Sequence, residues 1–211
     1  MENSVWLFPV LTLAVLGGYL LYLALAPEHL AWRTHATLRG DWFDAVSAER
    51  GTEILAIQTV RNSVMTATMT ASTSTLGLVG AVTLIAPSLN AVAGSSPAAM
   101  LLTPRVAMEL TAMALLLVAL VASTMAIRYY NHAGFVCAMP VGSAARARWA
   151  HTGRDHLRFA GVLYSWGLRC MMLVTPVLVS IVYSPAGPIA ALLVTGLLLW
   201  LERISPPQAS K

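Results

Sequence analysis

The chain has 211 residues, of which 57% are hydrophobic and only 10% charged, a balance that leaves little room for a soluble domain and makes the whole chain one membrane domain. Its 13 Lys and Arg exceed its 9 Asp and Glu, but they fall between apolar runs and form no aromatic-interleaved patch, which argues against nucleic acid as a partner. Cys137 and Cys170 lie in or beside apolar segments without paired spacing, so neither a disulfide framework nor a zinc site is indicated.

Five runs are long enough to cross ~30 Å of hydrocarbon, which takes about 20 helical residues each. They cover 5–26, 62–86, 106–127, 159–183 and 189–204. The predicted class is all-α, a polytopic integral membrane protein with about five transmembrane helices. The first run ends in Ala24-Leu25-Ala26, which resembles a signal-peptidase site, but its leading tail carries Glu2 and no positive charge; we read it as a retained helix.

Between the first two runs, Phe43, Val46, Ile54, Ile57 and Val60 can share one apolar side. A continuous helix from about Ala48 to Ala86 would be ~58 Å long and project roughly 25 Å into the cytoplasm. Gly51 is its candidate break. Such an extension would pack against its copies in an oligomer or lie along the headgroups.

The second run is the densest in hydroxyls: Ser63, Thr66, Thr68, Thr70, Ser72, Thr73, Ser74 and Thr75. Hydroxyls bond their own helix's carbonyls four residues back, so close packing explains them, and Ser63, Ala67 and Ala71 have small-xxx-small spacing. The functional alternative is a polar path in which they replace the hydration of a small solute.

The third run holds Glu109 towards its outer end and finishes in Arg128-Tyr129-Tyr130-Asn131-His132. Those residues read as interfacial anchors, with Asn131 and His132 as a gate or proton relay in the alternative reading. His151, Asp155 and His156 then occur in a basic loop, where solvated side chains are expected rather than a metal site.

The fourth run contains the most informative residue, Arg169. A guanidinium does not deprotonate in a protein and costs about 2.5–3.5 kcal/mol at bilayer depth on insertion scales, so it requires an anion, water or converging acceptors. It stands eleven residues beyond Arg158, as Ser72 stands eleven beyond Arg61, which sets Arg169 level with the hydroxyl belt if the helices tilt alike. Glu109 falls ~15 Å away along the normal by the same count, a poor ion-pair partner. The fifth run follows the tight turn Ser184-Pro185-Ala186-Gly187-Pro188.

Eleven of the 13 Lys and Arg fall in the two long connections and the C-terminal tail, against Arg105 alone on the other side. The expected orientation therefore has the N-terminus outside and the C-terminus cytoplasmic, in the cell (inner) membrane if the chain is bacterial.

Three stretches, Ile57-Gln58-Thr59-Val60-Arg61-Asn62-Ser63-Val64-Met65 with Ala71-Ser72, Arg128-Tyr129-Tyr130-Asn131-His132, and Gly167-Leu168-Arg169 leading to Pro176, resemble the membrane family of unknown function 599 across most of the chain. The resemblance implies a polytopic helical membrane protein and no particular reaction.

No Walker loop, HExxH, GxSxG, dinucleotide fingerprint or paired metal carboxylates occur, so an enzyme, a metal centre and a cofactor are not expected. The leading expectation is a homo-oligomeric channel or transporter-like protein for a small, possibly anionic, solute, its path formed by Arg169, Arg61, Asn62, Thr68, Ser72 and Thr75. The alternative is a structural, assembly or accessory subunit without transport, its polar groups holding helices together and its basic loops meeting anionic lipid.

Overall fold

A computed structural model describes residues 2–25, 31–93 and 103–202. They form six α-helices: α1 Glu2–Leu25, α2 Ala31–Ala48, α3 Glu53–Ala93, α4 Pro104–Ala138, α5 Ala144–Val182 and α6 Gly187–Leu201, with a 3-10 turn Ser184–Ala186 before α6. Among the described residues, five segments are long and apolar enough to cross a membrane, Val5–Leu25, Glu53–Pro87, Pro104–Ala138, Ala144–Val182 and Ser184–Leu201, and they mark the chain as an integral membrane protein. The tail beyond 202, with Arg203 and Lys211, and the connection 94–102 lie outside the described residues.

The two long basic connections are more helical than expected. The segment before the second span is not a simple extension of it: α2 is a separate helix, and α3 begins at Glu53 rather than near Ala48. Gly51 makes the break with φ at +90°, a left-handed conformation open to glycine at little cost. The Thr52 hydroxyl donates to the carbonyls of Val46 (2.7 Å) and Glu49 (2.8 Å), closing the end of α2. Glu53 accepts from the backbone N–H of Gly51 at 2.8 Å and of Val141 at 3.0 Å, and its charge suits the first turn of α3. Of the residues expected on one apolar side, Phe43, Val46 and Val60 are buried, whereas Ile54 and Ile57 are exposed, because the break turns α3 independently of α2.

The basic loop expected at 128–158 is also a correction. Helices α4 and α5 continue through it, leaving only residues 139–143 between them. The Ser143 hydroxyl caps α5 by accepting from the N–H of Arg146 at 3.2 Å. At the far end of α4, the Thr103 hydroxyl accepts from the N–H of Val106 at 3.3 Å, with Pro104 in the first helical position.

The chain divides into two compact units, and α3, α4 and α5 each contribute to both. The first unit contains α1, Thr73–Ala119, and Arg169–Leu201 with α6; α1 packs on α6, and Leu16, Leu23, Met108, Leu116, Leu173 and Val177 are buried in this unit. The second contains α2, α3 to Ser72, α4 from Leu120 and α5 to Leu168. Its core joins Phe43, Val46 and Leu157 to a series of small residues, Ala56, Ala67, Ala126, Ala133 and Ala160. Small side chains let helix backbones approach closely, which is where membrane helices gain their packing energy.

Candidate functional site

Helix α3 carries the greatest concentration of hydroxyl side chains, and burial divides it lengthwise. Ala56, Val60, Ala67, Thr70 and Ser74, at steps of four, seven, three and four residues, are buried. On the other side, two neighbouring stripes are exposed throughout: Leu55, Thr59, Asn62, Thr66, Met69, Thr73, Leu76, Gly80 and Thr83, and Gln58, Arg61, Met65, Thr68, Ser72, Thr75, Val79 and Val82. Both follow the alternating steps of three and four that keep residues on one helix face.

Five of the residues expected in a polar path, Arg61, Asn62, Thr68, Ser72 and Thr75, therefore share one exposed face. Arg169 differs from them: it is only 6% exposed and belongs to the first unit, where the Tyr19 hydroxyl of α1 is a neighbour of its guanidinium. Sequence spacing did not single out Tyr19, because an aromatic residue in an apolar helix carries no sign of the partner it will meet.

The hydroxyls of α3 satisfy themselves locally where their bonds are resolved. Ser63, Thr66, Thr68 and Thr70 donate to the carbonyls of Thr59, Asn62, Val64 and Thr66, at 3.2, 2.8, 2.9 and 3.1 Å. A hydroxyl bonded in this way keeps its oxygen lone pairs available while its hydrogen is engaged.

Glu109 is buried and takes its ion pair from Arg105, one turn earlier on α4, at 3.0 Å. A cavity of about 360 Å³ in the first unit is lined by Arg105, Phe8, Pro9, Met108 and Ile181 among others. The hydroxyl oxygens of Ser180 and Ser184 in its wall have no protein partner.

In the second unit, Asn131 and His132 are exposed. The His132 ring lies 5.6 Å from that of His156, and Tyr129 lies 5.2 Å from His156 and 6.2 Å from Phe159. His151 reaches Asp155 at 3.1 Å along α5. Beneath them, Tyr130 is buried, with Arg39 of α2 and Ser63 of α3 as the polar neighbours of its hydroxyl. Two of the stretches that carry the family resemblance, around Ser63 and Tyr130, thus meet directly. Arg39 was legible only as a loop charge, since nothing in its local pattern announces α2.

Arg146 is the other buried arginine among the described residues. It donates to the carbonyls of Cys137 at 2.9 Å and Met139 at 2.7 Å and to the Ser47 hydroxyl at 3.1 Å. It closes the C-terminal end of α4, where helix carbonyls lack intrahelical donors.

The family described as Protein of unknown function, DUF599 matches residues 6–207. No curated protein and no solved structure matches the chain.

Proposed function

We propose that this chain, which belongs to the DUF599 family, is the subunit of a homo-oligomeric membrane assembly in which the exposed faces of α3 meet and form a polar route for a small, anionic solute. The observation that carries this reading is the unbroken exposed face from Leu55 to Thr83, with Gln58, Arg61, Asn62 and seven hydroxyls among its side chains. Lipid tails offer Gln58, Arg61 and Asn62 no hydrogen-bond partner, whereas a second copy or an enclosed file of water does. Arg61 supplies positive charge on that face, and the hydroxyl oxygens of Thr68, Ser72 and Thr75 supply coordination. Arg169 acts in the interior of each subunit rather than on the route. In this reading the protein performs no catalytic step, and the membrane is the cell membrane, with both termini placed as the charge asymmetry directs.

The alternative is an assembly protein whose α3 faces associate without passing anything. The hydroxyls returned to their own helix favour it, because they require nothing from a solute. Two measurements separate the readings. Cysteine placed at Thr68 or Ser72 should form disulfide-linked dimers in membranes, against little background from the buried Cys137 and Cys170. Liposomes containing the protein should release a small anion such as chloride, several times more slowly with Arg61→Gln. Cross-linking without flux would establish the assembly reading; the absence of both would overturn the α3 face as an interface.

A further inference from the structure

Helices α2 and α5 interlock through two glycines in the second unit. Gly161 of α5 receives the guanidinium of Arg39 flat against its backbone, the Arg39 Nε 2.6 Å from where a Cβ would stand, so no larger residue leaves room for it. Gly40 of α2 receives the side chains of Arg154 and Arg158 in return, with Arg154 Nε 3.0 Å and Arg158 Cδ 3.2 Å from its own virtual Cβ. Three arginines therefore lie across one helix contact.

Their charges are compensated unequally. Asp41 and Asp44 both approach Arg154, at 3.5 and 3.2 Å, and Asp155 takes His151. Among the described residues, Arg39 donates to the His35 carbonyl at 3.3 Å and has the Tyr130 hydroxyl as a neighbour, both neutral. Among the described residues, no carboxylate forms an ion pair with Arg39 or Arg158. The surroundings are amphipathic: Leu38 and Phe159, next in sequence to the two arginines, are 61% and 60% exposed. Arg158 immediately precedes the apolar stretch of α5, and Gly161 places Arg39 one turn into it.

We propose that the α2–α5 contact is a binding site for the phosphate of an anionic bilayer lipid. Arg39 and Arg158 hold the phosphate oxygens, Gly161 orients the Arg39 fork, and Leu38 and Phe159 meet the acyl chains. Arginine's planar fork is suited to phosphate, and basic pockets between helices at the headgroup level recognise anionic lipids. The exposed apolar neighbours select a lipid over a free anion. The site is independent of whether α3 faces meet.

The test is native mass spectrometry of the full chain in neutral detergent, titrated with short-chain phosphatidylglycerol, phosphatidylcholine or inorganic phosphate. Phosphatidylglycerol should bind in preference to phosphatidylcholine, and Arg39→Gln and Arg158→Gln should each weaken it about tenfold. Arg148→Gln, which removes an exposed charge elsewhere on α5, should change it by no more than about twofold. Arg158 is exposed, so its variant decides the outcome if Arg39→Gln does not fold. Equal binding of the two lipids, an equal loss from Arg148→Gln, or inorganic phosphate binding as tightly as phosphatidylglycerol would overturn the proposal.

Discussion

Arg146 and Arg169 are both arginines buried almost completely, 3% and 6% exposed, yet their surroundings ask different things of them. Arg146 binds two carbonyls at the end of α4 and the Ser47 hydroxyl of α2, so one cation terminates a helix and ties a second helix to it. Arg169 stands within an apolar helix beside a phenol. A buried charge becomes structural when it answers acceptors that the fold would otherwise leave unmet. It invites a functional reading when it sits in an apolar segment that could have been built without it.

The comparison breaks most readily at Arg146. Arg146→Ala would leave the Cys137 and Met139 carbonyls without their donor, and we expect a loss of roughly 3 kcal/mol or more, read as a large fall in melting temperature in detergent. A shift indistinguishable from that of an exposed arginine variant would refute the staple. Tyr19→Phe tests the other site by removing a polar neighbour of the Arg169 guanidinium, with an expected loss of about 1–2 kcal/mol. No loss would mean that other groups satisfy Arg169 without the phenol.

Arg169→Leu sharpens the contrast. A buried charge replaced by an apolar residue of similar size is often neutral or stabilising, so we expect stability within about 1 kcal/mol of the parent and unchanged anion flux. Loss of flux in a folded Arg169→Leu protein would return the residue to the solute path. The smallest effect is expected on the exposed face of α3: Thr68→Val should move monomer stability by about 0.5 kcal/mol or less. Its effect should instead be on association or flux, and a protein altered in neither would remove Thr68 from the proposed interface.

Most of the fold was legible because crossing a membrane demands long apolar runs, and each run coincides with a helix. The two long basic connections were misread for a related reason. Arginines at 146, 154 and 158 looked like loop charges, but long side chains can lie along a helix contact with their stems packed, so their density did not signal a break. Glycine at Gly51 did mark the boundary of α3, since its left-handed backbone ends one helix before the next begins. The exposed polar face of α3 was present in the residue spacing, but which side of that helix is packed was not.

By itself the sequence determined the number of apolar spans, the family, the asymmetric distribution of charge and the expense of Arg169, because each depends on composition and local periodicity. Only the tertiary structure decided that Arg169 meets Tyr19, that Arg146 closes α4, and that Arg39 lies over Gly161. These pairings join residues far apart in the chain, and they are set by which helix faces pack together, a choice made by side-chain volume and close approach rather than by hydrophobicity.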